Sequence, residues 1–266
     1  WVTHTAKPWG ALGITVAEPD RQTSDLLNTA RFIFTRETES LGHMVRTGVN
    51  QPIAEFCPDG VFAIDLRNDQ ANQRFMQAHG LVEGRFAVFV PRLRKTPYYR
   101  IQQTDDSPRR IAEVEALNNA HKEVDHAKMR AAIVRYVRDT GNPAVLVPEM
   151  TYQLDIMDEL LIDPLPDDVK AKVVRRTEYW LPDEAGSLYA QAQAVVSFEC
   201  HSPIIAMAHC TPAIHLRQPQ DTIKGQMYYD IGVDDWVFEI EHTEGSQIAE
   251  RLMTIIDQPT EAAAYH

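Results

Sequence analysis

Short apolar runs recur along the chain, separated by stretches whose apolar positions fall three and four residues apart. Strand-length runs lie at residues 31–35, 61–66, 86–90, 144–147, 177–181, 194–198 and 213–216. The run at 86–90, Phe-Ala-Val-Phe-Val, is apolar throughout, the pattern of a strand covered on both faces. Helical spacing predicts helices over 39–48, 69–79, 118–139, 152–161, 167–173, 184–193, 203–208 and 247–256. Gly48, Gly80 and Gly141 stand where a helix needs a left-handed terminating residue. Ser202 before Pro203, and Ser246 before the last helix, are placed as N-caps.

Strands alternating with helices give an α/β fold with a doubly wound, mostly parallel, Rossmann-like sheet. Residues from about 62 onward supply enough units for one complete domain of this kind, while the first 55 or so supply a strand or two with helices. The expected division is 1–58, the closing portion of an N-terminal Rossmann-like domain, and 59–266, the C-terminal one. The opening Trp1-Val2-Thr3-His4 reads as the middle of a longer chain, so the N-terminal domain is expected to be incomplete. The polar stretch 102–110 is the expected mobile loop.

Composition narrows the partners. Against 38 Asp and Glu the chain sets 26 Lys and Arg, a net charge of -12. A nucleic acid is thereby excluded as main partner, since its binders present a basic face, while a basic pocket for one small anion stays open. No run of about 18 apolar residues is present, so no transmembrane segment is predicted. Cys57, Cys200 and Cys210 make neither a CxxC pair nor an even framework, which suits a reducing, cytoplasmic compartment. There is no HExxH, no P-loop signature and no G-x-G-x-x-G turn, so neither a metal nor a cofactor is expected. His121 and His126 are five apart, off one helix face, which argues against a metal pair.

Candidate chemistry falls just after strands, where open α/β sheets bind ligands. Pro91-Arg92-Leu93-Arg94 follows the run at 86–90 and offers Arg92 and Arg94 as planar forks for phosphate or carboxylate. The alternative is a solvated basic loop paired with nearby acids. Glu199-Cys200-His201-Ser202-Pro203 follows the run at 194–198 and sets His201 at a helix start, as acid, base or anion donor. A hydrogen-bonded structural histidine fits equally well. Cys200 is the weaker nucleophile, a thiol more consistent with burial. Arg217 and Lys224 could flank the same crevice, and Glu149 is either an acid–base group or a helix cap.

Several stretches together resemble the polysaccharide pyruvyl transferase family, in a branch of uncharacterised bacterial proteins. They are Phe34-Thr35-Arg36-Glu37-Thr38-Glu39-Ser40-Leu41, Cys57-Pro58-Asp59-Gly60-Val61-Phe62-Ala63, Pro91-Arg92-Leu93-Arg94, His201-Ser202-Pro203-Ile204-Ile205-Ala206, Thr211-Pro212-Ala213-Ile214, and Lys224-Gly225-Gln226-Met227 with Asp230-Ile231-Gly232. The resemblance implies a GT-B-like fold and transfer of a pyruvyl group from phosphoenolpyruvate to sugar hydroxyls as a ketal. It implies a saccharide or lipid-linked glycan as acceptor. Arg92 or Arg94, with Arg217 or Lys224, would hold the donor; His201, Glu199 and Glu149 would be the catalytic set. The family commonly carries Arg two residues before the histidine, where this chain has Glu199, and Gly where it has Cys210. The alternatives are a GT-B glycosyltransferase using a nucleotide-sugar and a non-catalytic carbohydrate-binding or assembly protein on a transferase fold.

Overall fold

The computed structural model describes residues 7–102 and 104–264. The opening Trp1 to His4 and Gln103 of the polar stretch lie outside them. The chain forms two compact units, one of Trp1–Ala63 with Asp221–Asp234 and one of Ile64–Gln220 with Asp235–His266.

The first unit holds a parallel three-stranded sheet, β1 (Ala11–Ile14), β2 (Ile33–Thr35) and β3 (Ala54–Phe56), in that order. Helices Arg21–Leu27 and Glu39–Arg46 connect the strands. Leu27, Ile33, Met44 and Val49 close their core. The predicted strand at 61–66 is not formed. Asp59 Oδ1 accepts from the Val61 amide at 2.9 Å and its carbonyl from the Phe62 amide at 2.9 Å, which turns Gly60–Ala63 into a 3₁₀ helix.

The second unit carries six parallel strands, β4 (Ala87–Val90), β5 (Ala144–Leu146), β6 (Val173–Arg175), β7 (Ala194–Ser197), β8 (Ala213–Arg217) and β9 (Val237–Glu239). Their order is β6-β5-β4-β7-β8-β9, so β4 and β7 are central. One face packs Ala87, Phe89, Val196 and Ile214 against Met129, Ile133 and Tyr136 of the helix Pro108–Thr140 and Leu252 of the helix Gly245–Asp257. The alternate residues Val88, Val90 and Val195 are buried as well, which is why these strands read as unbroken apolar runs. The α/β class read from the alternation is the one adopted.

Three local readings change. Thr177–Leu181 forms no strand; the edge strand is β6 at Val173–Arg175, half exposed and thus weakly apolar. The long helix begins ten residues ahead of 118, at Pro108, because Ser107 Oγ accepts from the Arg110 amide at 3.3 Å and Pro108 sits at the first turn. Helix His201–Ala208 begins at His201, so Ser202 lies inside the first turn rather than capping it. Among the described residues no helix is long and apolar enough to cross a membrane.

Candidate functional site

Beyond the carboxyl ends of β4, β5 and β7, four of the sequence-predicted residues fall into one chain of contacts. Arg92, one turn of loop past β4, sets its Nε 3.3 Å from Glu199 Oε2, both side chains being buried. The other Glu199 oxygen accepts from Gln153 Nε2 at 2.7 Å. Gln153 Oε1 accepts from the amides of Glu149 at 2.5 Å and Met150 at 2.9 Å, which fixes the orientation of the side-chain amide. Glu149, just past β5, then places Oε1 3.3 Å from His201 Nδ1.

The second Glu149 oxygen takes the Ser202 amide at 3.0 Å and the Ser202 hydroxyl at 2.7 Å. The start of helix His201–Ala208 is thus already occupied by a carboxylate of the chain itself, the charge that a helix N-terminus favours. Burial works to raise the Glu149 pKa, but the hydrogen bond and charge of His201, with the two bonds from Ser202, hold it below the usual value. An ionised Glu149 holds the proton of His201 at Nδ1, which makes Nε2 the accepting nitrogen of the ring; the imidazole is 40% exposed. Tyr189 donates to Ser202 Oγ at 3.1 Å, and burial pushes its phenol up, so it stays a donor.

The remaining predicted residues are not members of this contact chain. Arg94 forks onto Asp125 of the long helix at 2.8 and 3.0 Å and reaches Glu241 at 2.6 Å. Its hydrogen bond with Asp125 raises an already high pKa, and Gln218 adds a contact to the same carboxylate at 3.3 Å. This cation fastens the β4 loop to the helix. Arg217 pairs with Glu239 of the adjacent strand at 2.7 Å. Lys224 belongs to the first unit, on the 3₁₀ segment Pro219–Gln226. Cys200 is buried, its Sγ 3.9 Å from His215 Nε2.

Sequence reasoning did not find Gln153, which joins the Glu199 carboxylate to the Glu149 backbone amide, or Tyr152, whose hydroxyl accepts from the Leu93 amide at 3.2 Å. Both sit where the chain turns from the β5 loop into the helix Gln153–Met157, and no spacing rule marks them. The first unit gathers three other stretches of the sequence. Arg36 reaches Asp59 Oδ2 at 2.9 Å, and Thr38 donates from its amide and hydroxyl to Asp230 at 2.7 and 2.9 Å. Glu37 is buried between them, its carboxyl raised by burial although Ser40 donates to it from its amide at 2.8 Å. The segments 34–41, 57–63 and 224–232, far apart in the chain, therefore meet in one cluster.

The sequence matches the polysaccharide pyruvyl transferase profile over residues 7–218. The chain belongs to this family. It is a family of transferases, and five of the six stretches that carried the resemblance lie in or beside the strand-end clusters of its two units, while the stretch 211–214 enters β8 at its amino end. No protein of curated function matches the sequence significantly. Among solved structures, the chain is similar to the S. aureus MnaA–UDP complex, with 10% identity, TM-score 0.58, and coverage of 97% of this chain and 63% of that one. It is similar to a Methanocaldococcus jannaschii UDP-GlcNAc 2-epimerase bound to UDP-GlcNAc and UDP, with 10% identity, TM-score 0.57 and coverage of 92% and 61%. A Burkholderia xenovorans α,α-trehalose-phosphate synthase (UDP-forming) with glucose-6-phosphate gives 13% identity, TM-score 0.56 and coverage of 99% and 63%. The chain thus spans less than two thirds of each of these proteins. At such identities the likeness establishes the fold, that of GT-B enzymes.

Proposed function

We propose that the protein transfers a pyruvyl group from phosphoenolpyruvate to a saccharide, forming a ketal, at the strand-end set Arg92, Glu199, Glu149 and His201. The observation that carries the reading is the contact chain from a buried arginine to the Glu199 carboxylate, through Gln153 to the backbone of Glu149, and from the Glu149 carboxylate to a half-exposed imidazole. It joins an anion-binding fork to an oriented acid–base group, the two requirements of this reaction.

Glu199 is the departure from the family pattern, and it acquires a role. Resting on Arg92 it faces a cation; a donor phosphate taking the arginine puts negative charge beside it and favours its protonated form. The resulting carboxylic acid protonates the enol methylene, and the adjacent carbon becomes oxocarbenium-like. A sugar hydroxyl adds there and gives its proton to His201 Nε2. The carbon–oxygen bond to phosphate then breaks, and a second hydroxyl closes the ketal, its proton leaving on the phosphate. The products are the pyruvyl ketal and inorganic phosphate. Glu149 keeps the imidazole in the tautomer that accepts at Nε2.

Calorimetric binding of phosphoenolpyruvate and phosphate release with a saccharide acceptor test this. Arg92→Ala is expected to weaken phosphoenolpyruvate about tenfold or more, and His201→Ala to lower kcat by about 10²–10⁴ with little change in binding. Unchanged binding and turnover in Arg92→Ala would overturn the assignment. Binding of a UDP-sugar in place of phosphoenolpyruvate would transfer the same residues to glycosyl transfer.

A further inference from the structure

Past Arg94 the same loop walls a cavity of about 190 Å³, lined by Lys95, Thr96, Tyr98, Tyr99, Asp106 and Arg110, with Val114 buried at its floor. Two cations face this space. Their neighbours are neutralised: Arg100 by Glu115 and Arg109 by Glu113. Lys95 and Arg110, in contrast, have no carboxylate within ion-pair distance among the described residues. Asp106 takes part in the wall and accepts from the Thr104 hydroxyl at 2.6 Å, so the lining carries two positive charges against one negative. In a chain of net charge -12, uncompensated cations grouped on one cavity are out of keeping with the surface at large.

The cavity is also built rather than incidental. The buried Asn118 clamps Lys95 from both sides, accepting from its amide at 2.9 Å and donating to its carbonyl at 2.8 Å. Arg94 beside it is locked onto Asp125. The Tyr99 hydroxyl is held by Glu115, which sets its ring. A lysine on a backbone fixed in this way loses little freedom on gripping a ligand, the condition for affinity from few contacts. Tyr98, 47% exposed, stands at the rim with an aromatic face available.

We infer that this cavity binds the charged end of an anionic saccharide, one bearing a phosphate or a carboxylate. Lys95 and Arg110 take the anion, Thr96 a ligand oxygen, and Tyr98 lies against the apolar face of the ring. The inference deepens the proposed function, on which it rests for the saccharide: it makes the acceptor an acidic or phosphorylated sugar and separates its site from the donor arginine.

Calorimetric titration of the 266-residue chain with glucose 1-phosphate, glucuronate and glucose tests it. The charged sugars are expected to bind and glucose to bind about tenfold or more weakly; which charged sugar is tighter distinguishes phosphate from carboxylate. Lys95→Gln and Arg110→Gln, both at the surface and outside the Arg92–His201 set, should each cost about tenfold for the charged sugars while phosphoenolpyruvate binds as before. Equal binding of all three sugars, binding of none, or wild-type affinity in both variants overturns the inference. Failure of phosphoenolpyruvate to bind, with the charged sugars still held by Lys95 and Arg110, would instead overturn the donor reading and leave the cavity assigned.

Discussion

His126 sits fully buried in the long helix with its Nδ1 2.6 Å from the Lys122 carbonyl. A carbonyl only accepts, so Nδ1 carries the proton and the ring is neutral; Nε2 meets no polar partner among the described residues. Burial pushes its pKa down to about 4. The unfolded chain binds a proton near pH 6.5 and the native chain does not until about pH 4, so this histidine's contribution is present above 6.5 and lost between those values. The loss amounts to about 3 kcal/mol. Urea denaturation of wild type and His126→Leu across that window checks it, the variant being expected to lack about one proton's worth of pH dependence. At the same scale, the sequence marked Arg92 and Arg94 as equals. Only the partners separate them, since Glu199 and Asp125 are respectively 107 and 31 positions away and no local rule pairs them.

Among the elements, the helix Pro182–Tyr189 shows how packing overrides propensity. Gly186 is in its interior, where Ala is ordinarily better by up to about 1 kcal/mol. Here an added Cβ would come 2.7 Å from the Leu66 carbonyl oxygen and 2.9 Å from His209 Nε2. Gly186→Ala is therefore expected to destabilise by about 1–3 kcal/mol, read as a lowered urea midpoint at unchanged slope. A raised midpoint would mean that the backbone at Leu66 yields freely. Helix limits were legible at one locally encoded pair of caps: Asn68 accepts from the Ala71 amide, Gly80 ends that helix at φ 63°, and the reading 69–79 matches Asp69–His79. They were not legible at Ser202. Its hydroxyl serves Glu149, and a cap preference cannot register a carboxylate arriving from another strand.

Over the whole molecule, the net charge of -12 sets self-repulsion against scattered surface ion pairs such as Arg138–Asp168. Exposed pairs contribute little, whereas repulsion among excess acids is felt throughout. Raising salt from about 0.01 to about 0.15 M shortens the screening length from about 30 to about 8 Å. The melting temperature is expected to rise over that range in calorimetry; a fall would place the ion pairs ahead of the repulsion.

The sequence by itself determined the α/β class, the apolar strands of the central sheet, most helix positions and the family, because periodicity, capping and short motifs are written in neighbouring residues. Tertiary structure alone decided that residues 221–234 group with the first unit, that Gln153 bridges Glu149 and Glu199, and that Arg94 is committed to Asp125 while Lys95 faces a cavity. The physical reason is the range of the forces: a charge acts on whatever the fold brings within a few ångströms, and that neighbour's place in the chain carries no local mark.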